Sequence, residues 1–393
     1  MLSIKQLTRI VATVCLVSVT SVSWATLNTS ERFSTEPSLN NGKKWRVAYY
    51  EGGQHGNYYQ YLEATVHGLM DLGWIRKTTI RKIEDKDTAQ LWDWLVNYAD
   101  SDYIQFLDDG YYTANWDDGL RTQVKSKILN RLSKRNDISL IIAMGTWAGL
   151  DLSNNEHSVP TIVMSTSDPV NSGIIKSVED SGFDHVHARV DPYRYERQVK
   201  IFHDIVKFKK LGVAYEDSLY GRSYSAIDLI EKVANERGFE VVKCYTKSDI
   251  ADASAASASV KQCFQELAKS VDAIYVTIQG GVNANSIPYL VELANRNRIP
   301  TFSQHGAKEV QSGFLLSISR PGFKPAGLFL SATIAKVLNG AKPRQLTQLF
   351  EESPSIAINL KTAELVGLYL YADILAAADK IYRDIVPPET REK

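Results

Sequence analysis

Short apolar runs alternate with amphipathic segments along nearly the whole chain after residue 44. Apolar runs of roughly four to eight residues bounded by polar turns predict buried strands, and apolar positions three and four residues apart predict helices. The first series of predicted strands covers residues 45–51, 77–83, 138–144, 161–165 and 185–190. Alternating strands and helices are typical of a parallel sheet covered on both faces. The pattern therefore predicts a doubly wound α/β lobe.

A second series of the same kind begins after Val190. Its predicted strands lie near 210–216, 239–245, 272–278, 300–303 and 313–318. Its predicted helices lie near 193–207, 221–237, 257–270, 284–297 and 306–311. A helix at 324–339, a strand at 355–359 and a helix at 361–382 complete the chain. The predicted fold class is α/β with two doubly wound, Rossmann-like lobes.

The first 25 residues have the pattern of a secretory signal peptide. Lys5 and Arg9 supply the positive region, residues 10–19 the apolar core, and 23–25 a small-x-small cleavage site. The apolar run is shorter than the ~20 residues that span a membrane. Cys15 lies inside the apolar core and is a poor lipid acceptor. We expect a mature periplasmic protein that begins at Thr26, with residues 26–43 as a linker.

Composition and charge exclude several classes of protein. Hydrophobic residues make up 44% and charged residues 23% of the chain, which is ordinary for a globular protein. The 45 basic residues balance the 45 acidic ones, so nucleic acid is not an expected partner. A chain of 393 residues is long enough for two hydrophobic cores.

Two strand ends between residues 138 and 173 offer groups for binding a ligand. The run at 138–144 ends at Gly145-Thr146-Trp147, and the run at 161–164 ends in a Ser-Thr-Ser-Asp-Pro turn. Asp and Pro stop a strand and open a turn, and such turns line the crevice of an open parallel sheet. Ordinary turn chemistry is the competing interpretation for any one of these residues.

The same stretch resembles the tryptophan/tyrosine-type family of ABC transporter substrate-binding proteins. The shared motif is Asp-Pro-Val-x-Ser-Gly, present here as 168–173. The resemblance continues at 210–215 (KLGVAY), 290–300 (LVELANRNRIP) and 358–363 (INLKTA), followed by Gly367-Leu368. Together these motifs cover nearly all of the chain after residue 45.

The resemblance implies a periplasmic-binding-protein type I fold, with two lobes joined by a hinge of several segments. In this family the helix at 324–339 returns to the first lobe, and the last strand and helix return to the second. The expected domains are therefore 44–190 with 321–345, and 191–320 with 346–393. The implied function is capture of a small amino-acid-like or aromatic ligand between the lobes for an ABC importer.

Closure around a ligand requires contacts from both lobes, because the ligand must bind the closed form better than the open one. The candidate ligand contacts lie at the ends of predicted strands. On the first lobe they are Glu51, Gly53, His55, Thr146, Trp147, Ser165, Thr166 and Asp168. On the second lobe they are Tyr215, Glu216, Tyr224, Gln279, Gly280, Asn283, Ser303 and Gln304.

The chain departs from the family where a Thr-Asp pair commonly suits an α-ammonium group. Residues 278–281 read Ile-Gln-Gly-Gly instead. A neutral amide there weakens the case for an ordinary amino acid. We expect Trp147 and Tyr215 to flank a flat or apolar ligand, whose polar end Thr146, Ser165 and Thr166 would hold.

Residues 98–119 do not fit the plain family pattern. They contain six aspartates and six aromatic rings. One interpretation is an insertion that forms an acidic, aromatic lip over the cleft and attracts a cationic or aromatic ligand. The other is a solvated edge packed by its own rings.

Removal of the leader leaves two cysteines, Cys244 and Cys263. An even count in an oxidising compartment favours a disulfide. Two separate buried thiols are the alternative, because sequence does not show whether their Cα atoms lie within bonding range.

No motif of a catalytic nucleophile, a metalloprotease or a phosphate-binding loop is present, and no enzyme, cofactor or metal is expected. His185 and His187 point to one face of a strand, but no third ligand completes a metal site. Two partners remain open for a monomeric binding protein: an ABC permease, or a periplasmic sensor domain. Fold alone does not choose between them.

Overall fold

The computed structural model describes residues 33–83, 86–248, 250–319, 322–351 and 354–388. Over these ranges the chain forms two α/β lobes, each built around one mainly parallel sheet. This architecture confirms the predicted fold class. The predicted leader lies outside the described residues.

The sheet of the first lobe has the strand order β2-β1-β3-β4-β5, and all of its pairs are parallel. Its strands are β1 (Trp45–Glu51), β2 (Ile104–Thr113), β3 (Leu140–Met144), β4 (Thr161–Met164) and β5 (Val186–Ala188). Its helices are α1 (Gly56–Asp71), α2 (Thr88–Tyr98), α3 (Asp118–Lys134) and α4 (Gly145–Leu152). The carboxyl ends of β1, β3 and β4 therefore meet at one edge.

Alternation along the strands divides the first lobe into two cores. Val47 and Tyr49 of β1 face α1 and α2, whereas Ala48 and Tyr50 face α3 and α4. All four side chains are buried. Because both faces of β1 are covered, residues 47–50 form a continuous apolar run, as expected for a parallel strand buried on both sides.

The sheet of the second lobe has the order β12-β11-β10-β9-β8-β6-β7, in which only the β10–β11 pair is antiparallel. Its strands are β6 (Lys210–Tyr215), β7 (Glu240–Tyr245), β8 (Ala273–Val276), β9 (Thr301–Ser303), β10 (Leu316–Ser319), β11 (Ser355–Asn359) and β12 (Lys380–Tyr382). Its helices are α5 (Arg194–Val206), α6 (Leu219–Ser225), α7 (Ile227–Arg237), α8 (Ala253–Leu267), α9 (Ile287–Arg296), α10 (Ala307–Gln311), α12 (Leu360–Val366) and α13 (Ala372–Ala376).

The chain passes between the sheets three times, between β5 and α5, between β10 and α11, and between α11 and β11. Helix α11 (Lys324–Leu338) follows a strand of the second sheet but packs against α1 of the first lobe. Two of the crossing segments pair with each other. The Val190 N–H donates to the Gln348 carbonyl at 2.7 Å, and the Phe350 N–H donates to the Val190 carbonyl at 2.8 Å.

The predicted strand at 77–83 is wrong, and the edge strand of the first sheet is β2, inside the segment 98–119. Ile80 and Ile83 are buried against the core without pairing with a strand. Strand β2 pairs with β1 on both sides of an irregularity opposite Ala48, which obscures its alternating pattern. An acidic lip over the cleft is therefore not formed by residues 104–113.

Two predicted helices are interrupted in the structure. The helix predicted at 221–237 is divided at Ala226, which adopts the left-handed conformation with φ 56°. The helix predicted at 361–382 ends at Gly367, also left-handed, and is followed by α13 and β12. Gly367 satisfies the usual requirement of a helix C-terminus for a residue that tolerates positive φ.

The described part of the predicted linker packs on the first lobe instead of standing free. The indole N–H of Trp74 donates to the Thr35 carbonyl at 2.8 Å, and the Trp45 indole donates to the Ser38 carbonyl at 2.8 Å. Asn339 at the end of α11 donates to the carbonyl of Glu36 at 2.9 Å. These bonds fix residues 35–38 to Trp74, to the start of β1 and to the end of α11.

A disulfide joins Cys244 at the end of β7 to Cys263 on α8, with the Cα atoms 5.6 Å apart. The predicted pairing is confirmed. It ties the edge strand of the second sheet to the helix that covers it.

Candidate functional site

The carboxyl ends of the parallel strands in the two sheets face each other, and among the described residues three polar side-chain contacts join the strand-end turns and helices of one lobe to those of the other. The guanidinium of Arg121 on α3 contacts the hydroxyl of Tyr220 on α6. The Ser223 hydroxyl donates to the Asp168 carbonyl at 3.3 Å. His305 Nε2 lies 3.2 Å from Asn57 Oδ1. The structure therefore has the two walls of the cleft in contact.

Four aromatic rings, here called the aromatic cluster, gather at this interface: Tyr58, Trp116, Trp147 and Tyr220. Trp116 lies edge-on to Trp147 with ring centres 5.4 Å apart, and Trp147 lies 5.5 Å from Tyr220 of the other lobe. Tyr58 is 6.3 Å from Trp116. These separations are typical of favourable aromatic pairs.

Two glycines allow these rings to approach the backbone. A Cβ atom added at Gly53 would lie 2.5 Å from the Trp116 ring. At Gly145, which has φ +83°, an added Cβ would overlap the Tyr58 hydroxyl. Predicted site residue Gly53 thus shapes the cleft by having no side chain, and Gly145 does the same at the end of β3.

Arg121 is fixed on the first lobe by a bidentate ion pair with Asp151 on α4. Its Nε and Nη2 donate to the two carboxylate oxygens, each at 2.9 Å, and the Tyr50 hydroxyl donates to the same carboxylate at 2.7 Å. The guanidinium carbon lies 4.5 Å from the ring centre of Trp147 and 4.9 Å from that of Tyr220. Arg121 therefore holds a ring of each lobe by cation–π attraction.

Two polar atoms at strand ends of the first lobe are buried without a hydrogen-bond partner. They are the indole Nε1 of Trp147 and the hydroxyl Oγ1 of Thr166. Thr166 follows Ser165, which adopts the left-handed conformation with φ 57°. A buried unpartnered donor or acceptor is costly, so these atoms are suited to a ligand group.

Asp168 shapes the turn after β4 through hydrogen bonds from Asn171. Its carboxylate accepts from the Asn171 N–H at 3.0 Å and from the Asn171 side-chain amide at 2.8 Å. Burial raises its pKa above the ordinary value. Thr146, at the start of α4, is half-buried beside Trp147.

Glu51, predicted as a ligand contact, is buried in a network of hydroxyl groups instead. Its carboxylate accepts from Tyr49 at 2.7 Å, Thr88 at 2.8 Å and Tyr111 at 2.9 Å. Burial raises the pKa of Glu51 to about 7, and the hydrogen bonds from the three hydroxyl groups oppose that rise. The carboxylate ties β1, β2 and α2 together.

Tyr215 does not flank a ligand opposite Trp147, and the predicted sandwich is corrected. Its side chain is buried in the core of the second lobe and lies edge-on to Tyr245. Tyr220, on the helix that follows β6, takes the place opposite Trp147. Tyr215 is the last residue of β6 and its side chain points to the helix-covered face, because side chains alternate along the strand.

Other predicted residues of the second lobe hold its turns together. Gln279 bonds the Ala214 carbonyl and Thr246, and Gln304 bonds the Ile278 N–H and the Tyr224 carbonyl. Their side chains are buried. Internal bonds also engage Glu216, Tyr224, Gly280, Asn283 and Ser303.

Two histidines from opposite lobes lie close together near the aromatic cluster. His55 caps α1 by accepting the Asn57 N–H at 3.2 Å, and burial lowers its pKa to about 4, assisted by His305. Burial lowers the pKa of His305, but the hydrogen bond to Glu309 at 3.1 Å and the charge of Glu309 together outweigh that effect, so the pKa is raised. His55 is among the predicted site residues, and His305 directly follows the predicted residue Gln304.

Sequence reasoning missed Trp116, Arg121 and Tyr220 as residues of the cleft. Trp116 follows β2 and precedes α3, which is the strand-turn-helix arrangement used for the other candidates. Assignment of residues 104–113 as a strand would have placed Trp116 at a strand end. Tyr220 is the second residue of α6 and lies between the predicted site residues Glu216 and Tyr224.

A surface groove of about 530 Å³ lies elsewhere, between α1 and α11. Its lining includes Ala64, His67, Phe323 and Leu328 and contains none of the turns after β1, β3 or β4. The unpartnered atoms of Trp147 and Thr166 and the rings of both lobes lie at the cleft and not in this groove.

The histidines of β5 do not form a metal site. His187 Nε2 lies 2.9 Å from the Thr347 carbonyl, and the ring of His185 packs 4.5 Å from that of His157. Across the residues that the structure describes, no group of three or more His, Cys, Asp or Glu side chains is arranged to hold a metal ion.

Two α/β lobes around a cleft lined from both sides define a solute-binding protein. Residues 111–382 match the family described as ABC transporter substrate binding protein, and the chain belongs to that family. Members of this family are substrate-binding proteins and not enzymes. The chain is the substrate-binding component of an ABC transporter, and this assignment is favoured over a role in periplasmic signalling.

Relatives of known name agree with this assignment. A tyrosine-binding protein of Clostridioides difficile is 25% identical over 299 residues, which cover 75% of this chain and 76% of the relative. An ABC domain in complex with L-Trp from Streptococcus pneumonia has a TM-score of 0.63 at 17% identity, over 85% of this chain and 99% of that one. A ligand-free, open substrate-binding protein from Clostridium difficile has a TM-score of 0.57 at 19% identity, over 86% and 100%.

The family also limits where the chain works. Substrate-binding proteins of ABC importers act in the periplasm or outside the cell. Within the described part of the chain, no helix combines the length and the apolar character needed to cross a membrane.

Glu51 should make stability depend on pH. Its folded pKa of about 7 lies above its ordinary value of 4.5, so its contribution is present in full below pH 4.5 and is lost as pH rises through 7. The loss amounts to ~3 kcal/mol. Urea unfolding between pH 5 and 8 should show that Glu51→Gln removes this part of the slope.

Glu63→Gln is the matched control, since Glu63 is partly exposed and accepts one tyrosine hydroxyl at 2.8 Å. It should keep the wild-type slope. Equal slopes in wild type and Glu51→Gln would contradict the assignment.

Tyr220→Phe should open the cleft without unfolding either lobe. The substitution keeps the ring but removes the hydroxyl that contacts Arg121, at a cost to closure of about 0.5–1.5 kcal/mol. Small-angle X-ray scattering of the ligand-free variant should give a larger radius of gyration than wild type. Tyr224→Phe, on the same helix, removes a hydroxyl that bonds within the second lobe and should leave the radius unchanged. An unchanged radius in Tyr220→Phe would show that this contact does not hold the lobes together.

Proposed function

We propose that the chain captures a small aromatic, amino-acid-like solute between its lobes and delivers it to an ABC permease. The observation that supports this ligand class is the aromatic cluster, which places rings of both lobes beside two unpartnered polar atoms. A flat ring suits the aromatic walls, and hydrogen-bonding groups suit Trp147 Nε1 and Thr166 Oγ1. The tyrosine-binding relative and the L-Trp complex support the same class.

Thr146, Ser165 and Asp168 complete the proposed first wall, because they stand at the same strand ends as Trp147 and Thr166. The second wall is formed by Tyr220, Ser223 and the turn that holds His305. A ligand that touches both walls favours the closed form by its differential affinity for it. The closed form is then the one presented to the permease.

The proposed location is the periplasm, reached by a signal peptide cleaved before Thr26. A positive region, an apolar core and a small-x-small site support this assignment. The proposed mature protein is a monomer. Intact-mass measurement of periplasmic protein should give a chain that begins at or near Thr26, and recovery of a membrane-retained form would contradict this proposal.

Trp116→Ala should weaken the binding of L-tryptophan and L-tyrosine by roughly 10- to 100-fold. Trp116 is partly exposed at the cleft, so its truncation removes a stacking surface worth about 1–3 kcal/mol without opening a core cavity. Titration calorimetry of both amino acids, with L-leucine as the non-aromatic comparison, measures the effect.

Tyr98→Ala is the control, because Tyr98 is exposed on α2 and belongs to no part of the cleft. It should bind as wild type does. Unchanged affinity in Trp116→Ala would remove this ring from the site, and wild-type protein that binds neither aromatic amino acid would overturn the proposed ligand class.

A further inference from the structure

Arginine residues are concentrated at the first crossing between the lobes. Arg189, Arg194 and Arg197 lie within nine positions, and Asp191 and Glu196 are the acidic residues among them. Asp191 Oδ2 lies 3.8 Å from Arg197 Nη2. The crossing therefore carries more positive than negative charge.

The guanidinium of Arg194 has an incomplete set of hydrogen-bond partners. Its Nη2 makes one long bond of 3.4 Å to the Gln304 carbonyl, and its Nε is buried without a partner. Among the described residues, no carboxylate lies within ion-pair distance of it. Its guanidinium carbon lies 5.2 Å from the ring centre of Tyr195, so one face is covered by an aromatic ring.

The position of Arg194 is between the lobes. It is the first residue of α5, the first helix after the crossing. Gln304, which accepts its bond, directly precedes His305, and His305 contacts Asn57 of the first lobe at 3.2 Å. His305 and His55 in turn adjoin Tyr58 of the aromatic cluster, whose ring lies 5.1 Å from that of His55.

Arg189 also has buried guanidinium nitrogens without a partner, Nε and Nη1, but aromatic rings enclose it. Its guanidinium carbon lies 5.5 Å from the ring centre of Tyr61 and 5.1 Å from that of Phe350, and it donates to the Tyr61 hydroxyl at 2.8 Å. Its side chain is buried. Arg194 keeps partial exposure and can therefore meet a group that enters the cleft.

Removal of a guanidinium from water without a counter-charge is unfavourable, and a planar guanidinium recognises a carboxylate through two parallel hydrogen bonds. We propose that Arg194 binds the carboxylate of the ligand, so that the substrate class is an aromatic carboxylic acid whose ring lies in the aromatic cluster. This inference rests on the proposed function, which supplies the aromatic ligand.

The test compares ligands with and without a carboxylate in wild type and in Arg194→Gln. Calorimetry of L-tyrosine against tyramine, and of L-tryptophan against tryptamine, measures the preference. Wild type should prefer the amino acid by roughly 100-fold, and Arg194→Gln should lose most of that preference while binding the amine as before. An equal preference in wild type and Arg194→Gln would overturn the proposal.

Two further variants separate charge from folding. Arg197→Gln, on the same helix, should keep the wild-type preference, because Arg197 is already paired with Asp191. Arg194→Lys keeps the charge and should recover part of the preference that Arg194→Gln loses. If Arg194→Gln does not fold, Arg194→Lys provides the comparison. A lysine does not form two parallel hydrogen bonds with a carboxylate, so an Arg194→Lys variant with the affinity and the preference of wild type would count against the proposal.

A second measurement does not depend on the aromatic ligand. Sodium benzoate and sodium formate, compared with sodium chloride at equal ionic strength, should raise the melting temperature of wild type and Arg197→Gln but not of Arg194→Gln. A carboxylate effect without binding of aromatic amino acids would reject the proposed function and keep the anion site. Equal carboxylate effects in wild type and Arg194→Gln would reject the anion site itself.

Discussion

The pairing of two crossing segments at Val190 and residues 348–350 is the constraint on which the cleft depends. The two backbone hydrogen bonds between these segments join the segment after β5 to the segment that precedes β11. Parallel strands expose their turns at one edge only, so a hinge at this place lets the carboxyl ends of the two sheets face each other. The ligand groups are then brought together by topology and not by proximity in sequence.

Closure around that hinge rests on few direct contacts. Three polar contacts between the lobes are described above, and one of them, Arg121 with Tyr220, also brings two aromatic rings together. A small number of contacts of about 1 kcal/mol each leaves the open form accessible. A ligand that bridges the walls can then change the populations of the two forms.

The sequence was informative where periodicity alone decides the structure. Strands such as β1 and β6 are covered on both faces, and their continuous apolar runs could be recognised without tertiary information. Strand β2 could not, because its pairing with β1 is interrupted opposite Ala48 and places Asp108 and Asp109 within the strand. The same error hid Trp116, whose importance depends on the strand that precedes it.

The site was harder to predict because strand-end position does not determine side-chain direction. Tyr215 and Glu51 both end strands, yet the first enters a core and the second is bound by three hydroxyl groups. Tyr220 lies on the first turn of a helix and reaches the cleft, where its ring meets that of Trp147. Only long-range packing distinguishes these cases.

Some buried polar groups have a full set of partners within one lobe, and others lack partners. Glu51 accepts three hydrogen bonds, and Arg121 meets a carboxylate with two nitrogens, so both groups are satisfied within the first lobe. Arg194 has a single long bond to a carbonyl, and Trp147 and Thr166 retain buried polar atoms without partners. A buried polar atom without a hydrogen bond costs free energy of folding. Under the proposed function, a solute that enters between the lobes supplies partners to these three groups.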